Sequence, residues 1–170
     1  MSGNPFLVNV NKLRRVPGAV DRVRRSGRLP GLRVTESRVR DDAEVVVDAA
    51  LEAAGPDILV IADVETTWVG DCRRCLRPVT GELHAHTREL YEERSDGEET
   101  YPLRGDQVDL APLARDAVLL ELPLAPLCRE DCQGLCPECG ADRNEGDCGH
   151  AIVAMDPRWA ALDALRSDED

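Results

Sequence analysis

The run Ile58-Leu59-Val60-Ile61-Ala62-Asp63-Val64-Glu65-Thr66-Thr67-Trp68-Val69 is rich in β-branched residues and alternates from Ala62 onward. Val64, Thr66 and Trp68 fall on one side, and Glu65, Thr67 and Val69 on the other. Side chains of a strand point to alternate faces, so this pattern predicts a strand with one face inward. Two flanking runs read the same way: Glu44 to Ala53, with Val45, Val46 and Val47, and Val79 to Glu92. Gly55-Pro56-Asp57 separates the first two like a hairpin loop. The second and third are joined through Cys72-Arg73-Arg74-Cys75. Both links are too short for crossover helices, so the expectation is an antiparallel meander.

Outward from these strands the signals are more varied. Leu7-Val8-Asn9-Val10 reads as a short opening strand, Ala19 to Arg25 as two helical turns, and Arg28-Leu29-Pro30-Gly31-Leu32 as a turn. Arg94 to Gln107 is polar and acidic and reads as a surface loop. Asp109 can cap a helix with Pro112 in its first turn and Pro123 at its end. Leu110, Leu113, Ala117 and Leu120 fall on one face of that helix, which is expected to cover the sheet. Asp156-Pro157 starts a short helix with Trp159, Leu162 and Leu165 on one side, followed by the acidic tail Ser167 to Asp170. That helix either packs back on the body or serves as a docking peptide.

The fold class expected is α+β: an antiparallel β-meander with a covering helix and a small C-terminal zinc-ribbon-like module. Residues 1–126 are expected to form the sheet domain with its basic N-terminal segment and covering helix. Residues 127–155 form the zinc-binding module, and residues 156–170 the short helix and tail. Among 170 residues there are two Trp, two Tyr and one Phe, so the core must be built from Val, Leu, Ala and Ile. A sparse core makes a metal staple useful.

No run of about 18 apolar residues exists to span a membrane. Lys12, Arg14 and Arg15 are followed by no apolar segment of the secretory kind. The expected location is the cytoplasm, where thiols stay reduced. Seven cysteines then point to metal rather than to disulfides.

Cys136-Pro137-Glu138-Cys139-Gly140 has the form of a zinc knuckle, in which a tight turn aims two sulfurs at one point. Zinc takes four ligands, and Cys148-Gly149-His150 offers a thiolate and an imidazole. Site one is therefore expected to be Cys136, Cys139, Cys148 and His150. Cys72, Cys75, Cys128 and Cys132 remain, two pairs that make a second tetrahedral set. One zinc is expected and two are possible. The competing reading of Cys72 and Cys75 is a buried or redox-active pair; a redox pair of the thioredoxin kind would need a strand running into a helix, where this sequence offers a hairpin. Closed sites of four cysteines, or three cysteines and a histidine, leave no position for water or substrate, so the metal is structural.

No Walker loop, no GxGxxG and no HExxH is present. His84 and His86 share a strand face near Glu82 and Arg88 and read as surface residues. No catalytic residue is assigned.

The net charge of −12 hides a polarity. Lys12, Arg14, Arg15, Arg22, Arg24, Arg25, Arg28, Arg33, Arg38 and Arg40 are opposed only by Asp21 and Glu36, so this segment is +8 and the remainder −20. Either it is a solvated arginine-rich face, or it meets an anionic partner. Lys12, Arg14, Arg15, Arg22, Arg24, Arg25 and Arg28 are the candidates for contact with such a partner.

Trp68-Val69-Gly70-Asp71-Cys72-Arg73-Arg74-Cys75-Leu76, Pro126-Leu127-Cys128, Cys132-Gln133-Gly134-Leu135-Cys136-Pro137-Glu138-Cys139-Gly140, Asn144-Glu145-Gly146-Asp147-Cys148 and Asp156-Pro157-Arg158-Trp159 follow one another in order. This series resembles the YceD family, the large ribosomal RNA subunit accumulation proteins, in the Gram-positive or actinobacterial form with a C-terminal cysteine module. One departure is His150, where relatives often carry a further cysteine. The resemblance implies a non-enzymatic role in accumulation or processing of 23S ribosomal RNA and in large-subunit assembly. The implied partners are 23S RNA or a large-subunit precursor, and ribosomal proteins. The rival expectation is a zinc-stabilised protein-interaction adaptor without direct RNA binding; a third is a zinc or redox enzyme.

Overall fold

The computed structural model of the protein describes residues 3–95 and 99–150. Their elements run β1 (Leu7–Asn9), α1 (Asn11–Arg14), β2 (Val20–Gly27), β3 (Ser37–Arg38), β4 (Val45–Ala54), β5 (Asp57–Asp71), β6 (Pro78–Glu92), β7 (Tyr101–Pro102), β8 (Gln107–Asp109) and α2 (Leu110–Glu121). The architecture is mainly β, with one helix of 12 residues and one of 4.

The three runs expected as strands form consecutive antiparallel hairpins, β4 to β5 to β6. Ala54 pairs with Asp57 across a turn of Gly55 and Pro56. At the other end Asp71 pairs with Pro78, and the turn between them holds Cys72 and Cys75. β2 adds to the free side of β4, giving the order β2-β4-β5-β6-β7, while β3 pairs with the far end of β5. β7 joins β6 in parallel over two residue pairs. β1 and β8 pair separately as a two-stranded ribbon.

The period-2 pattern sorts the sheet into a buried and an open face. Val45, Val47, Ala49 and Leu51 of β4 are buried alongside Ile58, Val60, Ala62 and Val64 of β5. From α2, Leu110, Leu113, Ala114, Ala117 and Val118 enter the same core. Each fully buried Val or Leu contributes roughly 1.5–3 kcal/mol relative to exposure. The helix starts where the sequence places its cap: the Asp109 carboxylate accepts from the Ala111 N–H at 3.0 Å.

Several expectations change. Leu120 is 85 % exposed. The five buried positions of α2 centre between Ala114 and Ala117, and Leu120 lies roughly 90° from that centre at 3.6 residues per turn. The segment Ala19 to Arg25 is not helical; Val20–Gly27 is an edge strand of 8 residues in register with β4. Two helical turns are marginal by themselves, whereas a ladder partner satisfies the backbone at once. Arg94 to Gln107 is not all loop, since it contains β7 and the first residue of β8. The expected helix from Asp156 and the acidic tail lie outside the described residues.

Candidate metal centres

Two turns of the same build carry the paired cysteines. In the first, the Cys72 carbonyl accepts from the Leu76 N–H and the Cys72 N–H donates to the Arg77 carbonyl, each at 2.8 Å. In the second, the Cys136 carbonyl accepts from the Gly140 N–H and the Cys136 N–H donates to the Ala141 carbonyl, again at 2.8 Å. Both turns end on a left-handed residue, Leu76 at φ 61° and Gly140 at φ 73°. The second turn is legible as Cys-x-x-Cys-Gly; the first is masked by a leucine where glycine is usual.

The first turn meets Cys128 and Cys132. All four sulfurs lie within 4.8 Å of one another. Cys72 and Cys132 are 3.8 Å apart, and Cys75 and Cys128 3.6 Å. A disulfide would need about 2.05 Å. Tetrahedral zinc with sulfur at about 2.3 Å requires sulfurs separated by about 3.8 Å, which these pairs match. Cys72, Cys75 and Cys132 are buried, with Val79, Leu127 and Leu135 packed against them. The second turn meets Cys148 and His150, and their four ligand atoms also lie within 4.8 Å. This cluster is more open: Cys139 and His150 are exposed. The two clusters could hold metal ions, and the donor sets, four sulfurs and three sulfurs with one imidazole, are ones that a tetrahedral ion such as zinc accepts.

The thiol acidities fit the same chemistry. Burial pushes the Cys72 thiol up, but N–H groups of Cys75, Cys128 and Arg74 outweigh it and bring it down to about 6. The Cys139 and Glu138 N–H groups lower Cys136 to about 6. Desolvation and the neighbouring sulfurs push Cys128 up to about 12. Thiolates this close repel one another, and a divalent cation is what allows all four to ionise together.

The C-terminal cysteine segment is docked on the sheet's hairpin by its backbone. The Leu135 N–H donates to the Arg74 carbonyl at 3.1 Å, and the Arg73 N–H to the Pro126 carbonyl at 3.0 Å. Arg74 Nη1 donates to the carbonyls of Glu130 and Cys132, at 3.1 and 2.8 Å. Arg77 pairs with Asp142 at 2.8 Å and also with Glu145. Arg77 and Asp142 stand outside the residues quoted from the sequence, and Arg74 and Asn144 appear there only within longer quoted stretches; the Asp-x-Asn spacing of Asp142 and Asn144 is a turn signal that marks them.

The basic residues are spread over α1, β2 and the following turn. Arg14 is held by Glu93 and, at 3.2 Å, by Asp106. Its side chain thereby ties α1 to the 104–107 turn. Arg24 pairs with Asp48 at 2.6 Å, and Arg40 with Asp42 at 2.9 Å. Lys12, Arg15, Arg22 and Arg28 are exposed and make no ion pair within 4.0 Å among the described residues. Arg25 is half-buried, and its guanidinium donates to the Arg24 carbonyl. His84 and His86 stay on the open sheet face, His86 bonded to Asp63 at 2.7 Å. They join neither cysteine cluster. Among the described residues, no helix is long and apolar enough to cross a membrane.

A family profile described as "Large ribosomal RNA subunit accumulation protein YceD" matches residues 60–166. An uncharacterized protein of Mycobacterium tuberculosis is 34% identical over 167 residues, covering 94% of this chain and 80% of that protein. An uncharacterized protein of Mycobacterium leprae is 32% identical over 184 residues, covering 97% and 80%. A chloroplastic Arabidopsis thaliana protein named "Large ribosomal RNA subunit accumulation protein YCED homolog 1" is 30% identical over 66 residues, covering 39% of this chain and 21% of its own. No solved structure matches the chain.

Proposed function

The chain belongs to the YceD family of large ribosomal RNA subunit accumulation proteins, and from that membership we propose that it is a non-enzymatic factor for accumulation of 23S ribosomal RNA and assembly of the large subunit. Its working compartment is the cytoplasm. Zinc in the two clusters is structural, because four protein donors per site leave no position for water or substrate. The unit 127–155 then acts as a clasp on the sheet body 1–126. Cys72, Cys75, Cys128 and Cys132 hold the zinc of one site, and Cys136, Cys139, Cys148 and His150 that of the other.

What supports an RNA contact is the set of exposed cations that make no ion pair within 4.0 Å among the described residues, Lys12, Arg15, Arg22 and Arg28, of which Arg15 and Arg28 feel Asp106 and Asp42 at longer range. With half-buried Arg25 they supply up to five phosphate contacts. Binding of 23S fragments, measured by filter retention across a salt series, should then fall with a log–log slope of about −4. A flat response would sink the RNA reading.

One observation favours the adaptor reading instead. Arg14, Arg24 and Arg40 are already neutralised by Glu93, Asp106, Asp48 and Asp42, so the basic block is weaker than its sequence suggests. Co-purification of a ribosomal protein that survives nuclease treatment would support that reading.

A further inference from the structure

Asn144 lies between Cys139 and Cys148, inside the loop that a metal bound to Cys136, Cys139, Cys148 and His150 would close. Its side chain reaches out of that loop to the other cluster. Nδ2 donates to the Cys132 sulfur at 3.4 Å and to Asp142 Oδ1 at 2.6 Å. Oδ1 accepts from the Gln133 N–H and from Arg129 Nη2, both at 2.8 Å. Both donor hydrogens and both acceptor lone pairs of the amide are therefore used. The three groups it touches outside its own loop belong to the 128–133 segment, which supplies Cys128 and Cys132 to the buried cluster.

A second strut runs alongside. Asp142 accepts from the Asn144 N–H at 2.8 Å and pairs with Arg77 at 2.8 Å. Arg77 is the last residue of the Cys72–Arg77 turn. The loop of one cluster thus grips both halves of the other. An N–H donated to a thiolate sulfur disperses its charge and fixes its direction, as partners of metal ligands generally do.

From this geometry we propose that Asn144 is a positioning residue that couples the two metal sites, so that metal in either raises the affinity of the other. The inference rests on the reading that both clusters bind zinc. Ordering of the loop by one metal presents the amide to Cys132, and the effect must be reciprocal because it is a linkage between two binding equilibria.

The test is a Co2+ titration of the full chain, with zinc retention against a chelator as a second readout. The four-sulfur and three-sulfur sites are told apart by their absorption bands. Cys148→Ser disables the outer site and should weaken Co2+ binding at the four-sulfur site by about ten- to a hundredfold. Asn144→Ala should weaken it comparably, and the double variant should be no worse than the more damaging single one. Asn144→Asp separates positioning from packing. It keeps the acceptor for Gln133 and Arg129 but can donate neither to sulfur nor to Asp142 and sets a negative charge against both, so it should be at least as weak as the alanine variant. Wild-type affinity in Asn144→Asp, or additive losses in the double variant, would overturn the coupling while leaving both zinc sites standing. A wild-type chain that binds no metal at either cluster would overturn the zinc reading and the coupling together.

Discussion

Leu76 and Gly140 occupy the same position in the two cysteine turns: each N–H bonds the carbonyl of the first cysteine at 2.8 Å, and each backbone is left-handed. Glycine adopts that conformation without steric cost, whereas an L-residue loses about 1–2 kcal/mol there. Leu76 is also 64 % exposed, so little packing offsets the strain. Leu76→Gly is expected to raise the stability of the zinc-loaded protein by about 0.5–1 kcal/mol, after allowing for the added freedom of glycine in the unfolded chain. Gly140→Ala should cost about 1 kcal/mol. Thermal unfolding with zinc present reads both signs, and a destabilised Leu76→Gly would show that the leucine is held by contacts in solution.

The two sites should also separate by stoichiometry. Cys136→Ser is expected to lose one zinc and Cys72→Ser the other, so elemental analysis should fall from two ions per chain to one in each. Equal zinc in Cys72→Ser and wild type would refute the four-sulfur site.

Metal removal should act locally. The cluster around Cys72, Cys75 and Cys132 is separate from the main core under the sheet. A chelator should therefore expose the amides of residues 127–150 and of the 72–77 turn to hydrogen exchange. The amides of β4 and β5 should stay protected, because the β4–β5–β6 ladder and the α2 contacts need no metal. Equal loss of protection in β5 would mean that the metal sites hold the whole domain together.

In α2, Leu113 and Leu120 look alike in sequence and differ in burial, 1 % against 85 % exposed. Leu113→Ala should destabilise the fold by about 2–5 kcal/mol, and Leu120→Ala by less than about 0.5 kcal/mol. Denaturant midpoints at constant slope report the difference.

Much of the fold was legible in the residues themselves. Alternation over Ala62 to Val69, the Gly55-Pro56 turn and the Asp109 cap are local: each depends on backbone geometry within a few residues, so the pattern carries the answer. Pair spacing also pointed to the two donor groups whose ligand atoms the fold brings within 4.8 Å, because cysteines with two or three residues between them can share one turn. What the tertiary structure alone decided is non-local. Val20–Gly27 became a strand because β4 offered a free ladder, a fact invisible within Val20–Gly27. Arg14 and Arg24 pair with Glu93, Asp106 and Asp48, at least 24 positions away. Asn144 reached Cys132 only because the chain doubles back between them. Spacing in sequence fixes the bonds a residue can make nearby; folding of the whole chain selects its distant partners.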